Sequence, residues 1–298
     1  MFQKRKKNYT KRFLITASVF ILLIIANFYP KKHIDIVEKK IKTMSSREIK
    51  YLKYAINHSL SYSPFAYTLF GEKPMSFDGY LESTFIESTY KNQKNKRAAL
   101  KEHRKLQKGW EVWEKYSHLF PSKNYILKKH ENPSMSLFVD IILINKKAFV
   151  EIVETYRADF EKVLGKNFNG QEILIDFEQG QGVLLEKILA HDGLLGTVLG
   201  FGRNNAWNFH RRTELKKLTQ INTSLEQELA YLTKKLKPFN DELKFLPRFM
   251  YLPFFVADIE SEETKKLKEK YIEDKKKTWK IYKKFNFLEA ILFQLMQE

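Results

Sequence analysis

Apolar residues recur at helical spacing along most of the chain. From Ile34 to Asn57, residues Ile34, Val37, Ile41, Ile49, Leu52 and Ile56 follow a mainly helical period, broken near Ser45-Ser46 where a serine can cap a second helix. The stretch HSLSYSPFAYTLFGEKPMSFDGY follows, with Pro64, Gly71, Pro74 and Gly79 among many aromatics, and predicts a packed irregular segment holding a short strand. Glu82 to Ser117 reads as helical, with Trp110, Trp113 and Ser117 on one face. Asn124–His130 and Ser136–Ile144 flank Glu131-Asn132-Pro133 and predict an antiparallel pair, the second strand rich in β-branched and apolar residues. Asn145 is placed to cap a helix through Phe149, Ile152, Val153, Tyr156, Phe160, Val163 and Leu164, which Gly165 would end.

The second half continues the helical pattern. Glu172 to Gly202 reads as an apolar helical segment with glycines at 193, 196, 200 and 202, Gly202 ending it before a polar-aromatic helix from Arg203. Leucines and Ile221 from Leu215 to Leu236 alternate steps of three and four, the spacing of a coiled-coil seam. The run spans only about three heptads, which favours an intramolecular hairpin over a contact between chains through 215–236. Pro238, Pro247 and Pro253 mark a bent connector. Asp258 and Ser261 can cap a helix running to Lys284, and Asn286 can open a final apolar helix. The expected fold class is mainly α (α+β), a helical body with a small antiparallel sheet near the middle.

The N-terminus changes the picture. Residues 1–12 carry six basic side chains and no acidic one, and Phe13 to Tyr29 is an uncharged apolar run of 17 residues. That length is the lower limit for a helix crossing about 30 Å of hydrocarbon. A signal peptide would have a shorter apolar stretch and a small-x-small site, which Ala26-Asn27-Phe28 does not supply. The expected organisation is a basic cytoplasmic segment at 1–12, a single-pass transmembrane anchor at 13–29, juxtamembrane helices at 30–60 and a soluble body at 61–298. Only Lys31 and Lys32 closely follow the run, so the positive-inside rule leaves the N-terminus in the cytoplasm and the body outside it.

Charge and composition narrow the chemistry. The 298 residues hold 53 Lys and Arg against 35 Asp and Glu, a net charge of +18, and 43% of them are hydrophobic, enough for a sizeable core. Cysteine is absent, which excludes disulfides, thiol nucleophiles and Cys-based metal sites. The basic surface is split around a mildly acidic centre at 137–202, and its densest body segment is Lys91 to Lys108, where Lys94, Lys96, Arg97, Lys101, Arg104 and Lys105 could meet an acidic partner or anionic lipid. Nucleic acid is disfavoured there because the expected compartment holds little of it.

The segment AHDGLLGTVLGFGRNNAWNFHRR, residues 190–212, carries the remaining candidate chemistry. Gly200 and Gly202 before a helix start, with Arg203 and Arg211 nearby, could offer backbone N–H groups and positive charge to a phosphate or carboxylate. The simpler reading makes these glycines small residues at helix contacts and ends. His191, Asp192 and His210 could transfer protons, although no HExxH spacing or other metal pattern accompanies them. Ser88 to Lys91 matches SxxK, yet neither SDN nor KTG is present. No metal and no cofactor is expected.

The blocks SPFAYTLFGEKPMSF, FVDIILINKKAF, HDGLLGTVLGFGRNNAW and FVADIESEETKKLKEKY together resemble a family of uncharacterised, membrane-anchored bacterial proteins. The resemblance implies a bacterial setting and carries no established activity; with the anchor, the expected location is the bacterial inner membrane. The expected role is a noncatalytic cell-envelope binding or scaffold module. The alternatives are an envelope hydrolase with its site near His191–His210, and a membrane-tethered binder of nucleic acid or anionic lipid.

Overall fold

The computed structural model describes residues 35–89, 92–131, 138–220, 223–239, 252–284 and 287–297. The expected basic segment and anchor at 1–29 lie outside the described residues. Among the described residues, no helix is long and apolar enough to cross a membrane. The chain divides into two units, Met1–Ser46 and Arg47–Glu298. The described part of the first holds one helix, α1, at 35–41.

The second unit is mainly helical and is built around a three-stranded antiparallel sheet. Its strands are β1 (Met75–Leu81), β2 (Tyr125–Glu131) and β3 (Phe138–Asn145), in the order β1-β3-β2. The antiparallel pair expected from the sequence is β2–β3, with Leu127 opposite Leu143. β1, from the Pro- and Gly-rich segment, pairs with the other edge of β3 and sets Phe77 opposite Ile142. β3 is therefore central. Helices cover both of its faces, so it reads as the near-continuous apolar run FVDIILI rather than a strict alternation.

On one face Ile142, Ile144, Met75 and Ile126 join Phe149, Val153, Phe160, Leu174 and Leu194 in a single buried cluster. The helix residues come from α6 (Lys146–Thr155), α7 (Arg157–Leu164), α8 (Gly170–Glu178) and α10 (Asp192–Val198), and α9 (Val183–Leu189) adds Leu185 and Ile188. The other face meets α2 (Ser46–Tyr62), α3 (Phe65–Leu69), α5 (Gln93–Tyr116) and α14 (Phe287–Met296), where Leu60, Leu69, Trp110 and Ile291 surround Leu127 and Leu143. Trp113 donates its indole N–H to the Leu127 carbonyl at 3.1 Å, tying α5 to β2.

Long helical patterns are cut into shorter helices. The expected helix over 82–117 becomes α4 (Ser83–Thr89) and α5, because Asn92 turns out of helical geometry and accepts hydrogen bonds from the Lys94 and Asn95 amides. Asn145 caps α6 as expected, accepting from Ala148 N–H, and Gly165 ends α7 with φ at 89°. Between them the chain leaves the helix at Tyr156 (φ −111°, ψ 29°), a bend that sends both Phe149 and Phe160 into one core. The apolar segment from 172 to 202 is three short helices rather than one.

The leucine seam is also divided. Leu215 and Leu218 lie in α11 (Arg203–Leu218), Leu229 and Leu232 in α12 (Glu226–Lys235), and Leu236 in β4 (Leu236–Pro238). The two helices form a hairpin braced by Arg211 and Glu228, with paired N–H···O contacts of 2.9 Å. β4 pairs with β5 (Val256–Asp258), which leads into α13 (Glu262–Lys284). Ser261 caps α13 by accepting from Thr264 N–H at 3.2 Å.

Candidate functional site

Residues 191–212 fold as α10, a tight turn and α11. Gly200, not Gly202, terminates α10: with φ at 69° it lets its own N–H reach Thr197 O and lets Phe201 N–H reach Gly196 O, both at 3.0 Å. Those two bonds close the paired C-terminal motif that a left-handed residue permits. Gly196 serves the helix crossing. A Cβ there would stand 2.7 Å from that of Ala206, so α10 and α11 touch backbone to side chain.

Gly202 stands before the first turn of α11, whose free N–H groups are the expected anion seat. The seat is filled from within the chain: Asn204 N–H lies 3.2 Å from both Glu263 carboxylate oxygens, and Asn205 N–H 3.3 Å from one of them. The arginines are similarly engaged. Arg203 grips Asp159 through two bonds of 2.7 and 3.1 Å, and Arg211 grips Glu228. The Arg203 guanidinium, aided by Lys162, holds the Asp159 carboxyl below the usual carboxylate range.

The histidines do come together. The His191 and His210 rings stack at 4.1 Å between centroids, with Trp207 at 5.3 Å from His191. Their roles are local, however. His191 Nδ1 accepts the Leu194 amide at 3.2 Å as the N-cap of α10, and partial burial pushes its pKa down. His210 faces Glu214 at 3.6 Å on its own helix. Asp192 is the first residue of α10 and is half-buried. Among the described residues no group of three or more His, Cys, Asp or Glu is arranged to hold a metal.

A cleft of about 470 Å³ opens beside the turn, lined by Gly200, Gly202, Arg203, Glu263, Lys266 and Lys147 among others. His191, Asp192 and His210 do not line it. At its edge lies Lys73, which is only 2% exposed and has its pKa pushed well down by burial. Its ammonium donates to the carbonyls of Met75 and Leu199, binding the start of β1 to the C-terminal end of α10. Lys73 and Glu263 were not singled out by sequence pattern. Each acts on residues more than fifty positions away, and no local spacing signals such a contact.

The basic helix differs in having few internal partners. Lys94, Arg97, Lys101, Arg104 and Lys108 recur at steps of three and four and form one exposed stripe on α5, opposite Leu106, Trp110 and Trp113. Lys96 and Lys105 flank it and are half-buried. Among the described residues none of these seven cations forms an ion pair, and Lys105 instead lies 5.0 Å over the Tyr54 ring. Lys94, Lys96 and Arg97 sit in the first turns of α5, where cations oppose the helix dipole at a cost of about 0.3–1 kcal/mol each. The stripe therefore does not serve helix stability. Of the SxxK pattern, Ser88 Oγ donates to Phe85 O at the end of α4, and Lys91 lies outside the described residues. Compared with known proteins, the chain matches no family model, no curated protein and no solved structure.

Proposed function

We propose that the protein is a noncatalytic binding or scaffold module of the bacterial cell envelope, tethered to the inner membrane by residues 13–29 with its body outside the cytoplasm. The observation that carries the reading is the α5 stripe: five exposed cations on one face, without ion pairs among the described residues and partly at the dipole-opposed end. An acidic partner would stabilise such a row. The hydrolase alternative has less support, since His191 spends its acceptor nitrogen on a helix cap and neither histidine lines the neighbouring cleft.

Two measurements test this. The chain lacks cysteine, so Lys166→Cys in the exposed loop after α7 gives one site for a membrane-impermeant thiol reagent. Labelling in intact cells is expected; labelling only after permeabilisation would place the body in the cytoplasm and overturn the envelope reading. Replacing Arg97, Lys101 and Arg104 with Glu should abolish function in the host at an unchanged unfolding midpoint. Alanine at His191, Arg203 and His210 should reduce function only as far as stability falls, and the opposite pattern would establish the hydrolase.

A further inference from the structure

We infer that the shallow groove between α2 and α5 seats the phosphate-bearing headgroups of the membrane to which the chain is tethered, an anionic phospholipid surface. The inference rests on the tether proposed above. The groove, about 520 Å³, is lined by Lys50, Lys53 and Lys105 with Tyr51, Tyr54 and Phe287; among the described residues no carboxylate lines it, and the nearest influence of one is Glu102, whose charge adds to burial in raising the Tyr54 hydroxyl's pKa. Among the described residues, none of its three lysines forms an ion pair. Arg47 and Lys108 extend the positive field, their charged ends 5.7 and 5.4 Å over the Tyr51 ring. The field is felt locally: a hydrogen bond from Arg47 and the nearby Lys108 charge push the Tyr51 hydroxyl below its ordinary pKa.

The groove exists because α2 and α5 pack unusually close at one point. A Cβ on Gly109 would lie 2.4 Å from that of Ala55, and the helix surfaces diverge from there into the space between Tyr54 and Lys105. Half-buried tyrosines beneath exposed ammonium groups are the composition of a membrane interface, where rings sit at headgroup depth and lysines meet phosphates. Single-stranded nucleic acid would instead need ring faces free for stacking, and the cations already occupy those of Tyr51 and Tyr54. Residues 30–46, the linker between the proposed tether and the second unit, have a contour length of at most about 60 Å. Three lysines at an anionic surface strengthen association by roughly a hundredfold.

The test uses the full chain with Asn57→Cys, an exposed position on the groove, carrying an environment-sensitive fluorophore. It is mixed with vesicles of phosphatidylcholine alone or of phosphatidylcholine with phosphatidylglycerol. The expected result is a blue shift on the anionic vesicles only, reversed by high salt. The shift should be abolished when Lys50, Lys53 and Lys105 become Glu, and kept when the exposed Lys216, Lys217 and Lys234 become Glu, an equal change of net charge. No shift on anionic vesicles, an equal shift on both kinds, or equal loss in both variants would overturn the proposal. Flotation with the neutral vesicles reports the tether separately: failure there with the anionic shift intact overturns the tether and upholds the groove.

Discussion

Replacing Asn205 with alanine would remove the side chain that joins α11 to β5 and α13. Asn205 is 1% exposed, and its amide oxygen accepts from Asp258 N–H at 3.0 Å. Its amide nitrogen donates to Phe201 O at 3.0 Å and to Thr264 Oγ1 at 2.9 Å. In the alanine variant Thr264 keeps its contact with Ser261 Oγ at 2.9 Å, but Phe201 O and Asp258 N–H each lose a partner in a half-buried setting. At about 1–3 kcal/mol for each of the two polar groups left unsatisfied, the expected loss is about 2–6 kcal/mol. Against a usual total of about 5–15 kcal/mol that is a large fraction. Urea unfolding of the full chain, followed by circular dichroism, should show a lower midpoint at unchanged slope. A cycle with Thr264→Val should give a coupling of about 1 kcal/mol, because the two side chains share a bond. A loss below about 1 kcal/mol, or strict additivity, would refute the claim that this network holds the C-terminal elements in place.

Two further outcomes follow from the 191–210 region. His191 must be neutral at Nδ1 to cap α10, and burial lowers its pKa, so the unfolded chain takes up the proton more readily. The cap's stabilisation is whole above the free imidazole value near 6.5 and declines as pH falls through the window between that value and the lower folded one. His191→Asn keeps a capping side chain without a titrating group, so the stability difference between the two proteins should change between about pH 7 and 5 in urea melts; a constant difference would refute the assignment. Gly196→Val forces methyl groups into the α10–α11 crossing, where even a Cβ stands 2.7 Å from that of Ala206, and should cost about 1–3 kcal/mol. A neutral effect on the thermal midpoint would show that the helices can move apart freely.

Much of the secondary structure was legible because it is encoded locally. Asn145 announces α6 by its own side chain, Ser261 does the same for α13, and the apolar, β-branched run after the break at Glu131-Asn132-Pro133 marks β3 and its partner β2. Helix breaks were less legible. The apolar period runs unbroken through Tyr156, since the residues on either side serve the same core, and the bend shows only once that core is assembled. The leucine period from 215 to 236 misleads for a related reason: a hairpin of two helices buries both Leu215 and Leu232 without one continuous seam.

The candidate site divides along the same line. Sequence alone placed Gly200, Gly202, Arg203 and Arg211 around a helix start suited to an anion, and the N–H groups there do hold a carboxylate. That the carboxylate is Glu263, and that Arg203 and Arg211 are engaged by Asp159 and Glu228, depends on pairings between distant segments. Local rules of capping, period and charge spacing determined the helices, the strand pair, the basic stripe on α5 and the apolar run at 13–29. Tertiary structure decided which charges are neutralised within the chain and which are not, because an ion pair forms only where folding brings opposite charges within about 4 Å, whatever their separation in sequence.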